Sequence, residues 1–244
     1  MKKAISIWAF EDNETRSAED LFTQAQKAKF DGIELAVGEK GLLTPDTKKK
    51  DCEQLLEAAA EVGIEISGIA SGLGWAHPMT AEDSKARNEG KKVHRKMLQI
   101  AAWLDVDAVL VIPGRVYAGF VGDKGHDHVP YDVCWKRATS AIKSLVKTAQ
   151  RHRVALAVEN VWNMFLLSPL EMKDFIDQFK SKWVGCYFDT GNCIKDGFAE
   201  DWISILGKRI KRVHFKDYKR NWKSDAAKCE PLDGFCDILD GDCN

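Results

Sequence analysis

The stretch Val154-Ala155-Leu156-Ala157-Val158-Glu159-Asn160 constrains this chain most: five small or branched apolar residues end abruptly in a carboxylate and an amide. Such an unbroken run suits a strand buried on both faces, as in a parallel sheet. A buried helix segment looks the same by hydrophobicity alone, so the flanks decide. A helical pattern ending in Arg151-His152-Arg153 precedes the run, and a loop leading to the helix start Ser168-Pro169-Leu170-Glu171 follows it. Folds built on that alternation place their chemistry at the carboxyl ends of parallel strands. Glu159 is therefore the first candidate functional residue.

The same alternation repeats along the chain. Strands are expected at Ala4 to Ala9, Ile33 to Leu35, Ile64 to Ala70, Val106 to Ile112, Val154 to Val158, Val184 to Asp189 and Ile210 to Phe215. Ser17, with Asp20 three residues on, caps a helix whose inner face is Leu21, Ala25 and Ala28. Thr44-Pro45 is expected to start the next helix, with the stripe Cys52, Leu55, Leu56, Ala59 and Val62 and a stop at Gly63. Val93, Met97, Ile100, Ala101 and Leu104 form another apolar stripe. Further helices carry Ala138 to Ala149, Met172 to Phe179 and Trp202 to Leu206.

Seven β/α alternations imply a parallel sheet in an α/β fold. No Gly-x-Gly-x-x-Gly follows the first strand, and polar residues end several different strands, so a TIM-type (β/α)8 barrel is favoured over a doubly wound sheet. The count falls one unit short. After Phe215 a polar, Gly- and Asp-rich tail runs to Asn244, with nothing resembling an eighth strand and helix. Either the barrel is open or the chain is truncated, and truncation is the expectation. Residues 1–244 read as one domain, without a linker-like stretch.

Composition removes several function classes. Lys and Arg total 36 against 37 Asp and Glu, which argues against a nucleic-acid partner. No run is long enough for a membrane helix. Met1-Lys2-Lys3 and the apolar stretch to Phe10 stop at Glu11-Asp12 without a cleavage site, so a signal peptide is rejected. Seven cysteines, an odd number in a chain this size, point to reduced thiols and a cytoplasmic setting. The even spacing of Cys229, Cys236 and Cys243 is longer than in zinc knuckles and reads as coincidence. His126-Asp127-His128 reads as a solvated loop, and His94 and His152 as helix surface. A homo-oligomer is possible, though no stripe identifies an interface.

Three consecutive strands end in hard ionisable groups: Glu159, Asp189 and His214. Each has a plainer reading, since strand-end carboxylates often cap the next helix and a strand histidine is often a satisfied core residue. Together, at one rim, they suit a divalent ion, whether Mn²⁺, Mg²⁺, Co²⁺ or Zn²⁺. Such an ion polarises a carbonyl and stabilises an enediolate, and Glu159 could be both ligand and base.

Val158-Glu159-Asn160, Phe188-Asp189-Thr190-Gly191-Asn192 and Val213-His214-Phe215-Lys216-Asp217, in that order, resemble the xylose isomerase-like TIM barrels of sugar-phosphate isomerases and epimerases. Asp31-Gly32-Ile33-Glu34 and Leu239-Asp240-Gly241-Asp242 look like the same family. The resemblance implies a metal held by Glu159, Asp189, His214 and a glutamate on strand eight, with proton transfer by two glutamates on opposite faces of a ketose. It implies a small sugar or sugar-phosphate substrate. Asn192 stands where relatives often carry a substrate-contacting histidine, and Arg220 resembles a substrate-binding arginine. Lys216 could hold a carbonyl oxygen or phosphate, and Trp8, Trp162 and Phe165 could wall the pocket. Glu34 and His77 are further substrate candidates; Glu34 could instead cap its loop. Rival readings keep the barrel: dehydration of a keto-inositol, isomerisation of a small hydroxy-keto acid, endonuclease IV-like cleavage of abasic DNA aided by His77 and His94, or non-catalytic sugar binding.

Overall fold

The computed structural model describes residues 2–121, 127–195, 197–220 and 234–243. His126 and Cys229, singled out above, lie outside them. Seven strands, β1 (Ala4–Ser6), β2 (Gly32–Ala36), β3 (Glu65–Ala70), β4 (Ala108–Val111), β5 (Ala155–Glu159), β6 (Val184–Asp189) and β7 (Ile210–His214), form one sheet in chain order. Each pairs in parallel with the next. The helices between them are α1 (Ala18–Lys27), α2 (Lys49–Val62), the single turn α3 (Leu73–Ala76), α4 (Ser84–Trp103), α5 (Tyr131–His152), α6 (Pro169–Asp177), the short α7 (Thr190–Ile194) and α8 (Ala199–Leu206).

The sheet curls on itself. His214 on β7 meets Glu34 on β2 at 3.0 Å, and Arg212 on β7 reaches the Ser67 carbonyl on β3 at 3.2 Å. Strands five and four places apart in the sheet can touch only across a barrel interior. Among the described residues no strand joins β7 to β1, so seven of eight barrel strands are present. Alternation along each strand divides the apolar residues. Leu156, Val158, Cys186 and Phe188 join the large core beneath the helices, whereas Ala70, Leu110, Ile112, Ala157 and Tyr187 form a separate cluster inside the curl.

Local chemistry sets most element ends as expected. Ser17 accepts from Asp20 N at the start of α1, and Gly63 ends α2 at φ 78°. Pro45, however, does not begin a helix. The Thr47 hydroxyl accepts from Thr44 N and the Thr44 hydroxyl from Asp46 N, which fixes a turn; α2 then starts at Lys49, after the Asp51 carboxylate has taken up Lys48 N. The expected tail also has structure: β8 (Asp217–Tyr218) pairs antiparallel with β9 (Phe235–Cys236).

His94 is not helix surface. It is 2% exposed, donates Nδ1–H to the Gly90 carbonyl at 2.7 Å, and burial lowers its pKa. Its partner Gly90 allows a close approach: a Cβ there would lie 2.2 Å from the His77 carbonyl oxygen and 3.1 Å from Met79 Cγ. Alanine in a helix interior normally gains about 1 kcal/mol over glycine. At this position that sign should reverse, because the obstacle is backbone: Gly90→Ala is expected to destabilise by about 1–3 kcal/mol. Chemical denaturation reads it directly; a variant as stable as wild type would mean that α4 and the His77 segment are not in contact.

Candidate metal centre

β5, β6 and β7 each turn one polar side chain inward at the same mouth. The ladder sets their level, with Glu159 opposite Tyr187 and Asp189 opposite His214. One ligand atom from each of Glu159, Asp189 and His214 lies within 4.8 Å of the others. His214 Nδ1 is 3.7 Å from Glu159 Oε1 and 3.9 Å from Asp189 Oδ2. The two carboxylates are buried and the imidazole is partly so.

Asp189 combines the structural and functional readings. Its Oδ1 accepts from Asn192 N at 2.9 Å and caps α7. Its Oδ2 is buried, and its partner is the Lys216 ammonium, 2.8 Å away. A buried carboxylate oxygen needs a cationic or hydrogen-bonding partner, and here that partner is a cation. Two carboxylates and an imidazole nitrogen converging around such an oxygen fit a hard divalent ion.

Charge reinforces the arrangement. Burial raises the Glu159 pKa, as does the Asp189 charge, while His214 and Lys216 pull the other way. Burial disfavours the His214 imidazolium, but Glu159 and Glu34 outweigh it and push its pKa up to about 10. Burial likewise opposes the Lys216 ammonium, and Asp189 and Glu159 outweigh that, raising its pKa. Without a cation, the side chains themselves supply the positive charge the carboxylates attract.

Two residues that the sequence did not flag hold the site together. Asn160, directly after Glu159, clamps β5 to β6: its amide donates to the Asp189 carbonyl and accepts from Asp189 N, both at 2.8 Å. Tyr187, from inside the curl, hydrogen-bonds Glu34 on β2. The amide ending the β5 run was the only local signal for Asn160; nothing local signalled Tyr187, since its partner is 153 residues away.

Glu159, Glu34, His214, Lys216, Asn192 and Trp162 line one cavity of about 1450 Å³. Aromatic rings border it, among them Trp8, Trp75 and Phe120. Trp162 donates Nε1–H to the Asn192 carbonyl at 2.9 Å and stacks on Phe235 at 5.0 Å, so it is held as a wall. The Asn192 amide donates to the Asn160 carbonyl at 2.9 Å. Phe165, expected in the wall, is instead 1% exposed among Tyr131, Trp135 and Phe175.

The structure does not bring Arg220 or His77 to this cavity. The Arg220 guanidinium donates to the Ile194 carbonyl at 2.8 Å and to the Gly197 carbonyl at 2.5 Å, and lies over Phe198. It straps the end of β8 to the segment after α7. His77 caps the C-terminus of α3. With His94 buried in α4 as well, neither histidine joins the cluster, and a multi-zinc DNA-cleaving site loses the ligands it would need.

Residues 22–242 match the xylose isomerase-like TIM barrel family. The chain is 24% identical over 200 residues to L-ribulose-5-phosphate 3-epimerase UlaE of Salmonella heidelberg (strain SL476), covering 81% of this chain and 67% of that protein. Its counterpart in Escherichia coli O1:K1 / APEC is 23% identical over 198 residues, covering 80% and 66%. The chain thus spans about two thirds of the length of these curated relatives. Among solved structures, D-psicose 3-epimerase in the presence of D-fructose superposes with a TM-score of 0.74 at 18% identity, covering 92% of this chain and 76% of that one. L-ribulose 3-epimerase gives 0.74 at 20% identity, covering 88% and 70%. Matched across most of its length and folded as the motifs on its consecutive strands require, the chain belongs to the xylose isomerase-like TIM barrel family.

Proposed function

We propose that this chain carries the metal site and one proton-transfer group of a divalent-metal-dependent sugar or sugar-phosphate epimerase of the ketose 3-epimerase type. The observation that carries the reading is the convergence of one ligand atom each from Glu159, Asp189 and His214 within 4.8 Å of one another. The 3-epimerase names of the relatives support the substrate class. Glu159, Asp189 and His214 would hold the ion, with Mn²⁺, Co²⁺, Mg²⁺ and Zn²⁺ all compatible with an O,O,N donor set. A divalent ion there would polarise the substrate carbonyl and offset the negative charge left when the neighbouring carbon loses its proton.

Glu159 is the proposed base: it is buried and faces the cavity. Abstraction from carbon three of a ketose by Glu159 would give an enediolate; inversion then takes a proton delivered to the other face by a second acid, which the family resemblance places on strand eight as a glutamate. Lys216 would take a carbonyl or phosphate oxygen, and Asn192, on the same cavity wall, would take a hydroxyl. Trp162 and its aromatic neighbours keep water from the intermediate. We place the reaction in the cytoplasm, in keeping with the free cysteines among the described residues.

Metal analysis of Asp189→Ala tests the reading. Wild type is expected to bind one Mn²⁺ or Co²⁺ per chain, and the variant to retain none after gel filtration. Equal metal content in both would refute the site. Deuterium exchange at carbon three, surveyed across free and phosphorylated ketoses, then tests the reaction.

A further inference from the structure

We infer that Glu34 is a positioning residue for the metal site: it holds the His214 ring so that Nδ1, and not Nε2, faces Glu159 and Asp189. The inference rests on the metal reading above and reassigns Glu34 from contact with substrate hydroxyls. His214 Nε2 donates to Glu34 Oε1 at 3.0 Å, while Nδ1 lies 3.7 Å from Glu159 and 3.9 Å from Asp189. The imidazole therefore stands between Glu34 and the ligand cluster. Glu34 is on the wrong side of the ring to share an ion with Nδ1, but on the right side to fix which nitrogen is protonated. Metal-bound histidines are usually oriented by such a carboxylate on the far nitrogen.

The surroundings are shaped for this carboxylate. Glu34 is 3% exposed, and its other oxygen accepts from the Tyr187 hydroxyl. On β3, facing the pair, stands Gly68, where a Cβ would lie 3.1 Å from both Glu34 Oε2 and Tyr187 Oη. The β2–β3 register shifts between Ile33 and Glu34, an irregularity of the kind that re-aims a side chain. A buried carboxylate with a tyrosine donor, a glycine clearing space for it and one remaining oxygen on His214 is committed to the imidazole. A group awaiting a sugar hydroxyl would keep an oxygen open to the cavity.

Affinity for Mn²⁺ and Zn²⁺, measured by competition with a fluorescent chelator, provides the first test. Glu34→Ala is expected to weaken binding roughly 10- to 100-fold, and Tyr187→Phe by less. Glu34→Gln, which keeps an acceptor for Nε2–H, should restore most of the affinity; loss of packing alone would not distinguish Gln from Ala in this way. The second test uses wild type, so it does not depend on any variant folding: nitrogen NMR of the Zn²⁺-loaded protein should show His214 bound through Nδ1 and protonated at Nε2. Binding through Nε2 overturns the inference, as does Glu34→Ala with unchanged metal affinity while Asp189→Ala loses metal. If Asp189→Ala keeps its metal, the site itself fails instead. A Glu34→Ala variant that raises KM at unaltered metal affinity returns Glu34 to the substrate.

Discussion

Glu159→Gln should slow deuterium exchange at carbon three of the substrate by ~10²–10⁴-fold, the usual worth of a positioned base. Glutamine preserves the shape of a side chain that is 7% exposed, and it keeps one oxygen toward the cluster. It cannot accept the substrate proton. Metal content should therefore survive better than in Asp189→Ala, while turnover collapses; the split between the two readings separates a base from a ligand. Glu159 suits the role because it is buried at the cavity wall beside Asp189 and His214, where a substrate carbon next to the polarised carbonyl would meet it. Exchange within a few-fold of wild type would remove Glu159 from the chemistry and leave it only the ion.

Why the three cluster residues were legible, and their supports were not, follows from the range of the interactions. The apolar strands that end in Glu159 and Asp189 announce their polar ends locally, His214 closes the mixed strand Ile210–His214, and sequential parallel pairing brings the three ends level. Glu34 was visible as a carboxylate within the second strand, but its partners come from β6 and β7, on the far side of the curl. Strand periodicity says which face a residue takes and nothing about what it meets across an interior. The surroundings of Arg220 were hidden for the same reason. Its spacing from His214 suggested substrate, whereas in the structure it meets the carbonyls of Ile194, the last residue of α7, and Gly197. His94 looked solvent-facing because one helical position cannot reveal that Gly90 lets the His77 segment close over that part of α4. The Pro45 error was local: a threonine on either side offered hydroxyls that satisfy a turn before a helix can begin.

The tail after β7 shows the same limit and gives the second large effect, since Asp217→Asn should cost about 2–4 kcal/mol and release the segment through Cys243. Asp217 is 3% exposed, and its two oxygens accept from four backbone amides: Tyr218 and Cys243 on Oδ1 at 2.9 and 3.0 Å, Leu239 and Gly241 on Oδ2 at 2.9 and 3.0 Å. Gly241 is required for that grip, because a Cβ there would fall 2.0 Å from Oδ1. Asparagine would point an NH2 group at amides that can only donate. The loop so anchored carries Phe235, which stacks on Trp162 at the cavity mouth, so release should also shift Trp162 fluorescence and quicken amide exchange across 234–243. The pH dependence has a definite sign. Burial alone would raise the Asp217 pKa, but the four amides outweigh it and bring it down to about 2. A carboxylate depressed in the folded state stabilises it fully above the unfolded value near 3.9 and loses that contribution as pH falls toward the folded value. The stability gap between wild type and Asp217→Asn should thus hold from neutral pH to about 5 and narrow by roughly 2 kcal/mol on further acidification. A gap independent of pH between 5 and 3 would show that the amides are not held by a charge, and the anchoring of the mouth would need another explanation.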